Sequence, residues 1–188
     1  MKKQPEITAR TRENLMEAFW EFYRQKRIDR ITVKEITTKA GYNRSTFYAY
    51  FTDVDDVLNQ IEDSLLPAPE DLPPLTLDGI STTPLPIDAF VRMYEKHEKY
   101  YRVLFGDYGD PSFQSRMKNA VKSMLKKRLG TQVETDSIEL DITLEFMLSA
   151  MIGVLGYWFR LENPPESDEL LRLMYELMHH GVMHRLAS

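Results

Sequence analysis

The stretch Ile31–Phe51, ITVKEITTKAGYNRSTFYAYF, decides the fold because it encodes two short helices and the turn between them. Thr32 and Glu35 stand three residues apart, which is the spacing of a capping box, so a helix is predicted to begin at Val33. Gly41 follows where the chain must turn in a conformation that suits a residue without a Cβ. The stretch therefore predicts two helices joined by a tight turn.

The second helix of this stretch has one apolar face and one polar face. Asn43 stands at its N-cap position, and Phe47 and Phe51, four residues apart, are predicted to pack against the first helix. A major groove admits one helix, whose leading residues meet base edges while flanking groups bind the phosphates. The pattern thus predicts a helix-turn-helix that binds double-stranded DNA, through the outward side chains Arg44, Ser45, Thr46, Tyr48 and Tyr50.

The charge distribution agrees with this assignment. Residues 1–52 carry eleven Lys or Arg and six Asp or Glu, a net charge of +5, whereas residues 53–188 carry thirteen and twenty-three, a net charge of −10. The positive end is the candidate binder of an anionic partner. On the helix predicted to begin at Val33, Lys34 and Lys39 either contact phosphates or simply face water; the sequence favours neither reading.

Proline placement predicts the domain boundaries. Six of the ten prolines fall within Pro67–Pro86, which lacks a sustained helical period and is interpreted as a linker or long loop. The predicted division is a helix-turn-helix domain over 1–52, a connecting helix over 53–66, the Pro-rich segment 67–86, and a helical dimerisation and ligand-binding domain over 87–188.

Apolar residues recur at helical spacing in four blocks after the prolines, and no strand-like alternation of useful length occurs. The predicted fold class is therefore all-α, with an N-terminal three-helix DNA-binding domain and a helical C-terminal domain. The four predicted helices run from Ile87 to Leu104, from about Pro111 to Gly130, from about Ser137 to Glu162, and from Ser167 to about Leu186.

The third of these helices contains Phe146–Phe159, fourteen uncharged residues that are apolar around the whole circumference. One side can pack within the subunit, but the rest needs a second chain to cover it. A homodimer with a four-helix interface is therefore predicted. The residues predicted to form this dimer interface are Met151, Leu155, Gly156, Phe159, Leu170, Met174, Leu177, Met178 and Gly181.

Aromatic and methionine side chains of the C-terminal half either line a pocket for an apolar or aromatic effector or form the core. They are Phe90, Tyr94, Tyr101, Phe105, Phe113, Met117, Met147, Met151 and Trp158. A cavity of roughly 300 Å³ or more lined by them would favour the effector, whereas a filled core would favour a protein-interaction module that binds a partner protein and no small molecule.

Other functional classes find little support in the sequence. There is no nucleotide-binding loop, zinc-protease motif or nucleophile elbow, so neither an enzyme nor a cofactor is expected. No cysteine is present, which excludes disulfides and thiolate metal sites, and Glu176, His180 and His184 are interpreted as a polar helix edge rather than a metal site. The N-terminus lacks the apolar segment of a secretory signal, so a cytoplasmic location and no membrane partner are expected.

The motif ITVKEITTKAGYNRSTFYAYFTDVDDVL resembles the signature of the TetR/AcrR family of transcriptional regulators, and the resemblance covers residues 7–66. It implies an all-helical homodimer that binds a near-palindromic operator and whose C-terminal domain often binds an effector. We expect a repressor released by a ligand; an activator would use the same DNA-binding surface.

The resemblance also implies roles for single residues. Thr32 would contact phosphate, Arg44, Ser45 and Thr46 would face bases, and Tyr48 and Tyr50 would hold the DNA backbone. The chain departs from the family pattern at two places. Where family members often carry a lysine near a phosphate, Val54 stands among Asp53, Asp55 and Asp56. Tyr42 and Asn43 replace a small aliphatic residue and a serine, so Tyr42 either contacts DNA or covers the turn.

Overall fold

A computed structural model of the chain describes residues 5–68, 87–106, 109–129 and 137–181. All regular secondary structure in these ranges is helical, which confirms the predicted all-α class. The chain divides into two compact units, Met1–Leu65 and Leu66–Ser188. Apart from Pro67 and Ala68, the predicted Pro-rich segment lies outside the described residues.

Four helices and one 3-10 turn form the N-terminal unit. They are α1 (Pro5–Tyr23), the 3-10 turn Ile28–Arg30, α2 (Val33–Ala40), α3 (Arg44–Tyr48) and α4 (Val54–Leu65). Helix α1 packs against α2 and α4, and α2 packs against α3. The core that joins them consists of fully or almost fully buried apolar side chains, among them Leu15, Phe19, Tyr23, Ile36, Phe47, Phe51 and Ile61.

The start and end of α2 are fixed by local interactions that the sequence predicts. The backbone N–H of Glu35 donates to Thr32 Oγ1 at 3.3 Å, and the N–H of Thr32 donates to Glu35 Oε2 at 2.9 Å, which confirms the capping box. At the other end Gly41 has a φ of 74° in the left-handed region. These two features fix where α2 begins and where the turn to α3 begins.

The described residues of the C-terminal unit form five helices: α5 (Ile87–Lys96), α6 (Glu98–Leu104), α7 (Pro111–Leu129), α8 (Ile138–Arg160) and α9 (Ser167–His180). The prediction of one helix from Ile87 to Leu104 is wrong, because the helix breaks at His97, which has φ −122° and ψ 22°. Tyr94 and Tyr101 lie on either side of the break, with ring centroids 4.3 Å apart and ring planes tilted by 46°. The predicted end of the last helix near Leu186 is wrong, because the helix ends at His180 and Gly181 follows it with a φ of 79°.

The α7–α8 contact carries a row of ion pairs, which we call the α7–α8 ion-pair row: Lys118, Lys122, Lys126, Asp141 and Glu145. Lys126 Nζ lies 2.8 Å from Asp141 Oδ1, and Lys118 pairs with Glu145. The hydrogen bond from Lys126 lowers the pKa of Asp141, and the one from Lys118 lowers the pKa of Glu145. The lysines that face α8 are thus neutralised within the subunit.

Two arginines join the C-terminal ends of α6 and α8. Arg102 Nη1 donates to the carbonyl oxygen of Phe159 at 3.3 Å, and Arg160 Nη1 donates to the carbonyl oxygen of Phe105 at 3.2 Å. Carbonyl groups at a helix C-terminus lack intrahelical donors, and cationic side chains favour that end of the helix dipole. Each helix therefore supplies the charged cap of the other.

Candidate nucleic-acid interface

Helix α3 is held to the N-terminal unit by its apolar face. Phe47 is completely buried, Phe51 is almost so, and their ring centroids are 5.4 Å apart, which confirms the predicted pair. On the outward side, Arg44 and Ser45 are exposed and the Tyr48 side chain is 57% exposed. Thr46 and Tyr50 are half-buried.

Asn43 caps α3, as the sequence predicts. Its Oδ1 accepts from the backbone N–H of Thr46 at 2.8 Å. The same oxygen lies 2.7 Å from Ser45 Oγ and 2.9 Å from Thr46 Oγ1. One carbonyl oxygen therefore fixes both the helix start and the two hydroxyl groups.

Tyr42 is joined to α1 by a hydrogen bond that sequence reasoning missed. Asn14 Nδ2 donates to the Tyr42 hydroxyl at 3.0 Å across 28 residues of sequence. Because Tyr42 accepts this bond, its own hydroxyl proton remains available to a second acceptor. No local pattern signals the pair, since the two residues meet only when α1 packs beside the turn.

A second group of contacts that the sequence did not predict supports the C-terminal end of α3. Arg12 Nε and Nη2 donate to Gln60 Oε1 at 3.0 and 2.6 Å. Gln60 Nε2 in turn donates to the carbonyl oxygen of Tyr50 at 3.3 Å, and the Arg12 guanidinium lies 6.0 Å from the Phe51 ring centroid. Helices α1 and α4 thereby hold the segment that follows α3.

The hydroxyl of Thr32 is already engaged. Both Thr32 Oγ1 and the Thr32 N–H donate to Glu35 Oε2 at 2.9 Å, and Lys26 Nζ lies 2.8 Å from the other oxygen of the same carboxylate. The hydrogen bond from Lys26, followed by those from Thr32, lowers the pKa of Glu35. A phosphate at Thr32 would have to compete with this carboxylate.

The lysines of α2 have different surroundings. Lys39 Nζ lies 2.6 Å from Glu21 Oε2 of α1, and this hydrogen bond lowers the pKa of Glu21. Lys34 is exposed near the start of the same helix. Both lysines are therefore exposed on the same short helix, and Lys39 is in addition held by a carboxylate.

The acidic residues around Val54 serve the start of α4. Asp53 Oδ1 accepts from the backbone N–H of Asp56 at 2.8 Å, and Asp56 Oδ2 accepts from the N–H of Thr52 at 2.8 Å. The bond from the Thr52 backbone lowers the pKa of Asp56. Asp53 thus caps the helix, Asp56 binds the segment that precedes it, and Val54 is half-buried.

Comparisons with known proteins identify the family. Residues 86–180, about half of the chain, match the TetR family model described as "Transcriptional regulator C-terminal region". The chain belongs to the TetR family of transcriptional regulators. Membership implies DNA binding and dimerisation, and it confirms the resemblance inferred from residues 7–66.

Two solved structures share the fold over almost the whole chain. A TetR transcriptional regulator from Streptococcus agalactiae 2603V aligns with a TM-score of 0.64 at 20% identity, over 92% of this chain and 95% of that one. The fatty acid degradation regulator FadR from Bacillus halodurans aligns with a TM-score of 0.59 at 15% identity, over 98% of this chain and 100% of that one. No curated protein sequence matches the chain. Along the described residues of this TetR family member, no helix has the length and apolar character needed to cross a membrane.

The predicted effector residues of this regulator pack mainly on one another. Tyr94, Tyr101, Phe105, Phe113 and Met117 are all at least 97% buried. The rings of the first four form a continuous cluster with centroid distances between 4.3 and 6.2 Å. The side chain of Phe90 lies outside the described part of the chain. These described aromatic side chains therefore belong to the buried core of the unit.

Beside this core lies a cleft of about 250 Å³. Tyr94 and Trp158 are the predicted residues that line it, and the Trp158 indole N–H donates to the carbonyl oxygen of Pro165 at 2.8 Å. Its other lining residues include Glu95, Glu98, Arg102, Phe159 and Glu166. Met147 and Met151 line a different, apolar groove of about 460 Å³ between α8 and α9.

Most residues predicted to form the dimer interface are buried within the subunit itself. These are Met151, Leu155, Gly156, Phe159, Leu170 and Met174. Leu177 and Met178 are half-buried and Gly181 is exposed, and all three line the α8–α9 groove. The exposed apolar surface of α8 is instead a stripe at spacings of four residues and, at its end, seven. We call it the outer stripe of α8: Ile138, Ile142, Phe146, Ala150 and Tyr157.

Proposed function

We propose that this TetR family regulator represses transcription by binding a near-palindromic operator as a homodimer, with α3 of each subunit in a major groove. The observation that carries the proposal is the outward face of α3, where polar side chains surround a helix fixed by the buried Phe47. For two such helices to enter successive major grooves on one side of the duplex, they have to lie about 34–36 Å apart.

The surroundings of each side chain support a division of roles. Arg44 is exposed and carries only donors, which suits guanine, and Ser45 and Thr46 follow it in the first turn of α3. Tyr42 and Tyr48 place hydroxyls at the rim of the surface, where they suit phosphates. For Tyr50 we retain the predicted contact with the DNA backbone. A phosphate would reach Thr32 only in competition with Glu35, because this carboxylate engages both the N–H and the hydroxyl of Thr32.

Lys34 and Lys39 provide a matched test of phosphate binding on α2. Each phosphate that a lysine neutralises contributes about 0.9 to the slope of log affinity against log salt. Lys34→Ala should reduce this slope by about one contact, whereas Lys39→Ala should change it less, because Lys39 is paired with Glu21 at 2.6 Å. Equal slopes for Lys34→Ala and the unmodified protein would remove Lys34 from the interface.

The exposed apolar surface of α8 and α9 supports the dimer. Phe146 belongs to the outer stripe of α8 and also lines the α8–α9 groove. A stripe and groove on adjacent helices can meet their own copies across a two-fold axis and form a four-helix interface. We therefore place the interface on the outer stripe, together with Leu177, Met178 and Gly181.

Ligand control is proposed to act at the cleft beside Tyr94 and Trp158, since most other aromatic side chains of the predicted set are buried against one another. A release assay with candidate small molecules on the operator complex tests it, and Trp158→Ala should abolish any release. The mutual burial of these side chains also favours the second candidate function, in which the C-terminal helices bind a partner protein and no small molecule enters. Monomeric behaviour in sedimentation would support that alternative.

Selection of bound duplexes from a random library with the purified protein tests the central proposal. We expect an enriched sequence with two inverted half-sites. Enrichment of a single half-site would contradict the homodimeric mechanism, and a reporter gene activated by the protein at its selected site would contradict repression.

A further inference from the structure

The hydroxyl groups at the start of α3 have a fixed hydrogen-bond polarity. The same Asn43 atom lies near the backbone nitrogen of Thr46, near Thr46 Oγ1 and near Ser45 Oγ, at 2.8, 2.9 and 2.7 Å. A backbone N–H only donates, so this atom is the carbonyl oxygen of the asparagine and not its amide nitrogen. A carbonyl oxygen only accepts. Both hydroxyls therefore donate their single proton to Asn43.

This arrangement limits which DNA groups the two hydroxyls can bind. A hydroxyl has one proton and two lone pairs, so Ser45 and Thr46 present only lone pairs to an outside partner. Phosphate oxygens are acceptors as well and cannot bond to them while the cap is intact. Among the base edges of the major groove, the hydrogen-bond donors are the N6 amino group of adenine and the N4 amino group of cytosine.

We propose that Asn43 is a positioning residue that makes Ser45 and Thr46 hydrogen-bond acceptors, so that α3 reads the amino groups of adenine or cytosine. The inference rests on the proposed function, because it requires α3 to lie in the major groove. Arg44 stands between Asn43 and these hydroxyls in sequence and carries only donors. The helix thus presents donors and acceptors side by side, and each half-site should contain adenine or cytosine beside the base that Arg44 contacts.

The Tyr42 hydroxyl has the opposite polarity, which supports this division. Tyr42 accepts from Asn14 at 3.0 Å, so its proton is available to a phosphate oxygen. If Ser45 and Thr46 instead bound phosphates, each would have to give up its bond to the cap oxygen. The intact cap assigns phosphate binding to tyrosine and base reading to serine and threonine.

The test uses the full-length protein and the duplex selected from a random library. Each adenine of a half-site is replaced in turn by purine, which lacks the N6 amino group, and each cytosine by its analogue without the N4 amino group. Fluorescence anisotropy measures the affinity. At one or two positions the unmodified protein should lose about three- to tenfold, the value of one hydrogen bond. At these positions Ser45→Ala or Thr46→Val should bind the natural and the modified duplex equally.

Asn43→Gly provides the variant that tests the positioning role. Glycine is tolerated at a helix N-cap at little cost in stability but has no side-chain acceptor, so the hydroxyl protons of Ser45 and Thr46 are released. With helix content and melting temperature close to the unmodified protein, this variant should lose less affinity when the amino groups are removed. A folded Asn43→Gly that shows the full loss would overturn the role of Asn43.

The outcomes separate this inference from the function on which it rests. If no duplex is enriched, the proposed function fails and the inference fails with it. If a duplex is enriched but tolerates the removal of every amino group, only the inference is overturned. A further outcome concerns the DNA backbone. If Ser45→Ala removes the affinity loss caused by a neutral methylphosphonate linkage, and not the loss caused by a base analogue, the Ser45 hydroxyl binds a phosphate and the inference is overturned.

Discussion

Replacing Phe146 by alanine should weaken the dimer strongly while leaving each subunit folded. The Phe146 side chain is 76% exposed in the single chain, so its removal costs little within the subunit. Complete burial of such a side chain contributes about 1.5–3 kcal/mol, and the exposed share corresponds to about 1–2 kcal/mol. A two-fold axis places two copies in the interface, which gives about 2–4 kcal/mol and a dimer dissociation constant raised about 30- to 1,000-fold.

Sedimentation velocity over a concentration series measures this constant directly. Leu173→Ala is the matched control, because Leu173 is a 36% exposed apolar residue of α9 that does not line the α8–α9 groove. Circular dichroism should show equal helix content for both variants. If Phe146→Ala dimerises as tightly as the unmodified protein, or if Leu173→Ala weakens the dimer equally, the outer stripe of α8 is not the interface.

Arg44→Ala should weaken operator binding by about 1–3 kcal/mol and lower the ratio of specific to non-specific affinity, whereas Tyr48→Phe should weaken all sequences evenly. Titrations on the selected and a scrambled duplex measure both quantities, and an unchanged ratio for Arg44→Ala would exclude its base-reading role. The α7–α8 ion-pair row predicts the pH dependence of stability, since the folded-state pKa values of its carboxyl groups lie below their ordinary values of 3.8 and 4.5. Its contribution is present above these values and is lost as pH falls through the folded pKa values, once Asp141 and Glu145 become protonated. Urea unfolding should therefore show that the double variant Asp141→Asn, Glu145→Gln is less stable than the unmodified protein at pH 7 and matches it in strong acid; an equal deficit at both pH values would refute the linkage.

The C-terminal unit shows how far helical periodicity predicts structure. The bounds of α7 and α8 agree with prediction, because Pro111 begins one helix and Ser137 caps the other. The break at His97 was not predicted, since the apolar spacing continues across it. Across it, Tyr94 of α5 and Tyr101 of α6 pack with ring centroids 4.3 Å apart, a contact between two helices that apolar spacing does not describe.

In the candidate site too, local features were predicted from the sequence, whereas contacts between residues distant in sequence were not. The residue types on α3 could be identified from the sequence, because they follow from the helix period and the buried Phe47. Their supports, Asn14 beside Tyr42 and Gln60 beside Tyr50, lie on α1 and α4. No spacing rule relates residues on different helices.

The sequence by itself determined the helix-turn-helix, because the capping box, the left-handed Gly41 and the Asn43 cap each depend on residues no more than three positions apart. Only the tertiary structure decided which parts of α8 and of the aromatic set are interior. Phe146–Phe159 is apolar on every side, so periodicity alone gives that helix no preferred inward face. Packing against the rest of the unit buried Met151 and Leu155 and left Phe146 outside, since the faces that neighbouring helices cover are set by their positions in space and not by spacing along the chain.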